Sequence, residues 1–272
     1  MRRIASLVVL FLLLGSATAL AEPGAFTLPE SQILGHFGVR YFLTSQYLDR
    51  DGEIVDIEPQ TKFREIGGIV QMQVGVTEDL ELGVLLPGHY MYRTTDFDDE
   101  TSYWLGDIEV DVAYCALGGS RAALTTAGKI VLPFFYDAED ELPPGYGKVY
   151  AEARLLGAVR FSLFTAGIDG GYRWWDGDPA DMWRYGGELN FVYNIVYGGV
   201  RLDGYASAGN YNENAESTYF YHAPDYCLGK VNIKMGVMFT NHVGLELLAG
   251  HTAYGRNVAY GTDYQLTVVY RY

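Results

Sequence analysis

The chain has 272 residues, 15% of them aromatic and only 19% charged, with 23 Tyr and 33 Gly against 9 Pro. Tyr and Gly in excess favour sheets joined by tight turns and exclude a coiled coil, a collagen-like chain and a disordered polar tail. A formal net charge of −15 leaves no basic surface for a polyanion, so nucleic acid is excluded as a partner.

Residues 1–21 read as a secretory signal peptide: Arg2 and Arg3 form a basic start, Ile4 to Leu14 an apolar core, and Ala19-Leu20-Ala21 a small-residue cleavage site. The apolar run is shorter than the ~20 residues a spanning helix needs. Residues 22–272 are then expected to form one exported domain. Its two cysteines, Cys115 and Cys227, supply no disulfide framework, so a core or a membrane must hold the fold.

From residue 32 onward the chain breaks into twelve segments with apolar residues at every second position, at roughly 32–47, 61–77, 80–95, 103–117, 122–136, 148–161, 163–176, 183–196, 198–212, 226–240, 242–256 and 260–272. In the tenth, Val231, Ile233, Met235, Val237 and Phe239 fall on one face and Lys230, Asn232, Lys234 and Thr240 on the other. Only a strand separates them that way. Short connections at 77–79, 118–121, near Ser162, at 196–197 and at 241–242 alternate with longer acidic loops at 49–60, 96–102, 137–147, 177–182 and 212–225. An even number of long strands with short turns at one end and long loops at the other predicts an all-β fold, a transmembrane antiparallel β-barrel of about twelve strands in the bacterial outer membrane.

A soluble sandwich also alternates, and the strand ends discriminate. Trp104, Trp174, Trp175, Trp183, Tyr41, Tyr90, Tyr103 and Tyr172 fall beside long loops, and Tyr114, Tyr193, Tyr197, Tyr270 and Tyr272 fall at the opposite ends. Two aromatic girdles around an apolar band match the two headgroup levels of a bilayer. The last segment, Tyr264 to Tyr272, ends on an aromatic residue and resembles the C-terminal strand that outer-membrane barrels present to their insertion machinery. That machinery and outer-membrane lipid, including lipopolysaccharide, are the expected partners.

With the apolar face on lipid, the opposite face lines the lumen. Its acids are Glu65, Glu81, Asp107, Glu109, Asp111, Glu152, Asp169, Glu188, Asp203 and Glu246, and its bases Arg40, Lys129, Arg154, Arg160, Arg173, Arg184, Arg201, Lys230, Lys234 and Arg271. Two walls stand out as candidate sites. Glu65, Glu81, Asp107, Glu109 and Asp111 form an acidic wall on the second to fourth strands. Lys129, Arg154, Arg160, Arg173, Arg184, Arg201, Lys230 and Lys234 form a basic one on the fifth to tenth. In a closed barrel these partly face each other. One reading is a transverse field across a water-filled constriction, and the other is salt-bridge filling of a narrow barrel.

The acidic loops can hold divalent cations that bridge to lipopolysaccharide, although such runs are more often solvated surface. No metal site or cofactor is expected. Catalysis finds no support: among His36, His89, His222, His242 and His251 none has the His-x-Ser arrangement of barrel lipases or helical zinc spacing.

Several stretches in order resemble the barrel family named for the meta-pathway of phenol degradation: Leu80-Glu81-Leu82-Gly83-Val84-Leu85-Leu86-Pro87 after Thr77-Glu78-Asp79, then Gly106-Asp107-Ile108-Glu109-Val110, Lys129-Ile130-Val131-Leu132-Pro133, Gly171-Tyr172-Arg173-Trp174 and Gly177-Asp178-Pro179-Ala180-Asp181. The resemblance covers about residues 60–200. It implies an outer-membrane channel or transporter of Gram-negative bacteria, in some members for aromatic or other hydrophobic compounds, with no catalytic residues. An acidic stretch at 137–141 replaces the family's glycine-rich turn after Pro133. The resulting expectation is a non-enzymatic, porin-like passive channel for small solutes, with a plugged structural or adhesion barrel as the alternative.

Overall fold

A computed structural model describes residues 25–57, 61–94, 99–134, 136, 142–145, 147–177, 179–209 and 226–272. The expected signal peptide and most of the acidic loop clusters lie outside the described residues. Within them there are fourteen strands and no helix: β1 Ile33–Leu48, β2 Ile54–Asp56, β3 Lys62–Gly75, β4 Leu80–Thr94, β5 Asp99–Leu105, β6 Ile108–Gly118, β7 Ala122–Leu132, β8 Tyr150–Phe161, β9 Phe164–Trp175, β10 Met182–Tyr193, β11 Val196–Ser207, β12 Cys227–Met238, β13 Val243–Arg256 and β14 Val258–Arg271.

Twelve of these make the wall. Each pairs antiparallel with the next, and β14 returns to β1 from Leu34↔Arg271 to Leu48↔Val258, so no edge remains to pair with another chain. The short β2 only extends the loop end of β1. β5 and β6 are one wall strand in two pieces, both paired to β4. The expected strand 103–117 is thus split at Gly106-Asp107. The cause is Pro87 on β4, which has no N–H to continue the ladder and accepts from Gly106 N–H at 2.9 Å. The expected strand 122–136 stops at Leu132, before Pro133.

Alternation sets the two faces. On β3, Phe63, Glu65, Ile69, Gln71 and Gln73 point inward and are buried, while Ile66, Met72 and Val74 point outward and stay exposed. The same rule holds around the wall and leaves a continuous apolar outer band. Tight turns at one end suit primed hairpins: Ser162 and Asn194, with φ of 53° and 55°, begin the β8–β9 and β10–β11 connections.

Outward rings cluster at both ends of the band. Tyr172 packs between Trp174 and Trp183, with centroids at 5.1 and 4.7 Å. Trp104, Trp175 and Tyr197 fall at the expected ends but on inward positions, where parity overrides end preference. Two glycines let outward rings lie flat across neighbouring strands. A Cβ at Gly204 would strike the Tyr185 ring, and one at Gly229 the Tyr254 ring. Cys115 and Cys227 are both free thiols.

Candidate functional site: the barrel lumen

Two segments enter the barrel from opposite ends. At the short-turn end, the residues before β1 run across the lumen as a strap. Ser31 N–H donates to Gly75 O at 2.8 Å, Leu28 N–H to a Glu81 carboxylate oxygen at 2.8 Å, and Thr125 Oγ1 to Ala25 O at 2.6 Å. Phe26 lies 4.4 Å under the Arg160 guanidinium. The strap therefore passes from β1 and β3 to β7 and β8 on the far wall. Small inward residues make room for it, because Ala25 is buried among Ala113, Cys115, Ala123, Ala127, Leu156 and Ala158.

At the long-loop end, the β7–β8 connection folds inward. Leu142 is buried against Phe42, Phe63 and Met91, on β1, β3 and β4. Tyr136 donates to the Asp107 carboxylate and accepts from Gly147 N–H. Burial and the Asp107 carboxylate push the Tyr136 phenol up, so it remains the donor. Between loop and strap lies a vestibule of about 430 Å³ lined by Phe42, Phe63, Tyr150, Trp175 and Tyr226 together with Arg40, Glu65, Arg173, Lys230 and Asp263.

Below the vestibule, β8 to β11 carry a dense ion-pair network. Glu152 accepts from three guanidiniums: Arg154 at 3.3 Å, Arg173 at 2.8 Å and Arg184 at 3.2 Å. Asp169 accepts from Arg201 at 2.8 Å and lies 3.9 and 3.7 Å from Arg154 and Arg184. Arg201 also reaches Glu188 at 3.5 Å and Asp203 at 2.7 Å. Arg173 is sandwiched by Tyr150 and Tyr205 at 4.2 and 4.4 Å. Four guanidiniums thus meet four carboxylates, and burial with this many partners holds them as one network.

The other expected site residues form two more groups. Glu65 accepts from His89 Nδ1 at 3.0 Å and sits 3.8 Å from Arg40, while Asp263 holds Lys230 and lies 3.6 Å from Arg40. On the lower part of β4, β6 and β7, the carboxylates of Glu81, Glu109 and Asp111 face a single ammonium, Lys129, which pairs with Glu109. Lys234, Glu246 and Arg271 sit at the short-turn end, and Arg160 at the rim over Phe26. The four arginines of the network on β8 to β11 thus carry their own counter-charges, while β4 and β6 bring Glu81, Glu109 and Asp111 together beside Lys129.

Sequence reading missed Asp263, although Gln265 and Thr267 share its parity and marked that face as polar. It placed Asn232 on the polar face without its contact, a donation to Asp203 at 3.0 Å, and it missed Tyr205, which bridges Arg173 and Arg184 at 3.0 and 2.8 Å.

No protein-family model matches the chain, and no curated protein matches it. Solved structures do. The COG4313 outer membrane channel from Pseudomonas putida F1 superposes with a TM-score of 0.71 at 16% identity, covering 92% of this chain and 99% of that one. The KdgM porin, solved in complex with disordered oligogalacturonate, gives 0.54 at 9% identity, covering 88% and 98%. The NanC porin gives 0.53 at 9% identity over the same shares. At these identities the likeness is one of fold, and the fold is that of an outer-membrane β-barrel of twelve strands.

Proposed function

We propose that this chain, exported by a signal peptide at residues 1–21, is a passive channel for small solutes in the bacterial outer membrane. One observation carries the reading: a charged, hydrogen-bonded inner face surrounds a vestibule large enough for a small molecule, while the outer face carries a continuous apolar band. Channels and porins among the similar folds support it. The aromatic vestibule suits the aromatic or hydrophobic cargo implied by the meta-pathway resemblance. The carboxylates of Glu81, Glu109 and Asp111 on β4 and β6 disfavour a polyanion such as the oligogalacturonate held by KdgM. The proposed partners are the insertion machinery, through the Tyr264 to Tyr272 strand, and the lipopolysaccharide of the outer leaflet.

A plugged structural barrel is the second reading, favoured by the strap and the inward loop, which both occupy the lumen. Single-channel recording in planar bilayers separates the two. Discrete conductance steps support the channel, and silent membranes containing folded protein overturn it.

A further inference from the structure

The outward positions of β4 and of β6 through β12 carry no charged residue. β3 departs from this rule at its loop end, where Lys62 and Arg64 are both exposed on the outer face. Two residues apart on one strand, their side chains emerge about 6.8 Å from each other. Among the described residues neither forms an ion pair, and the one contact of Arg64 is with the Tyr92 ring, 5.9 Å from its centroid. Ion pairs are the rule among the arginines and lysines at the middle of the inner face, so two cations without one on the outer face are exceptional within an acidic protein.

Their level in the wall fixes what they meet. One step toward the membrane centre, Ile66 pairs laterally with Tyr41 and Tyr90, and Tyr90 with Tyr103, all outward and exposed. That row of tyrosines marks the interface between hydrocarbon and headgroups. Arg64 and Lys62 stand just beyond it, at the end of the barrel with the long loops, which is the extracellular end. Asp99, which follows Lys62 and Thr94 laterally, is the nearest carboxylate in register.

We infer that Lys62 and Arg64 form a binding site for a phosphate group of the glycolipid of the outer leaflet. The inference rests on the outer-membrane reading above. A guanidinium supplies two parallel donors to a phosphate and an ammonium adds a compact charge, while acyl chains lie against Tyr41, Ile66 and Tyr90 below.

The test is native mass spectrometry of the detergent-refolded full barrel titrated with diphosphoryl lipid A and, separately, with phosphatidylglycerol. It compares the wild type, the double variant Lys62→Gln/Arg64→Gln and a control, Arg121→Gln, in an exposed turn at the other end. Lipid A should bind the double variant about thirtyfold more weakly, as expected from two basic side chains at headgroup level, and the control unchanged. Phosphatidylglycerol should bind weakly and equally to all three. Unchanged lipid A affinity in the double variant overturns the site. So does absence of lipid A binding to the wild type. Phosphatidylglycerol bound as tightly as lipid A, and lost in the double variant, overturns the glycolipid assignment in favour of any anionic lipid. Heat-dependent gel mobility verifies that the variants are folded. A silent wild type that still binds lipid A would defeat only the channel reading.

Discussion

Placing an arginine on the outer face at several depths tests the wall most directly. Ile233 lies midway along β12, 53% exposed, paired to Val200 and Ala249 on the strands either side. Phe239, in the turn after β12, is six residues on and 65% exposed. With a rise of about 3.4 Å per residue and a tilt near 40°, Ile233 stands roughly 16 Å above that turn, close to the middle of a ~25 Å apolar band. Arg at that depth should cost about 2–4 kcal/mol, while Phe239→Arg at the interface should cost about 0–1 kcal/mol. Met235→Arg, two residues below Ile233 and 50% exposed, should fall between them. Lys234→Gln, an inward neighbour, should cost less than Ile233→Arg. The readout is tryptophan fluorescence in a denaturant titration of protein refolded into phospholipid vesicles. A flat series, or equal losses for Ile233→Arg and Lys234→Gln, would refute the assignment of faces.

Three further outcomes follow from the same geometry. Glu152→Gln strips the shared carboxylate from three buried guanidiniums and should destabilise the barrel by about 3–5 kcal/mol, and a loss under about 1 kcal/mol in the same titration would show that the arginines find other partners. Neutralising Glu81 and Asp111 to Gln and Asn should move the reversal potential in a salt gradient toward anion preference, with the shift shrinking as the Debye length falls to about 3 Å at 1 M salt; no shift would mean that permeant ions do not pass these carboxylates. Phe26→Ala combined with Arg160→Ala should loosen the strap and raise single-channel conductance, whereas unchanged conductance would show that the strap lies outside the conducting path.

Parity made most of the wall legible in the sequence. The period-two pattern located the twelve wall strands and placed Glu152, Arg154, Arg173, Arg184 and Arg201 on the inner face before any register was known. The break between β5 and β6 also had its signals, Pro87 and Gly106, but they lie on different strands and meet only through pairing. The ion-pair partition had no local signal. Which guanidinium meets Glu152 depends on the stagger of β8 to β11, and the shear of a closed barrel is not readable from one strand at a time. The strap was invisible for a different reason. Residues 25–32 carry no alternating pattern, and their partners are small residues on β6 to β8 that look like ordinary inward filler.

Those small residues connect the wall to the inserts. At the short-turn end the inner face of β6 to β8 is built from Ala113, Cys115, Ala123, Ala127 and Ala158, and this thin lining leaves the width that the strap fills. At the long-loop end the inner face of β1, β3 and β4 carries Phe42, Phe63 and Met91, and Leu142 seats on them. Each insert is therefore held by contacts that match it, backbone hydrogen bonds over a small-residue floor at one end and an apolar side chain in an aromatic seat at the other. Strap and wall exchange hydrogen bonds: Leu28 N–H of the strap donates to Glu81, and the Thr125 hydroxyl of the wall donates to Ala25 O. Withdrawing the strap would take the Leu28 N–H away from the Glu81 carboxylate and uncover the small-residue floor. Width and hydrogen bonding at the short-turn aperture are thus coupled through one segment, since any displacement of the strap that widens the aperture also strips a donor from Glu81.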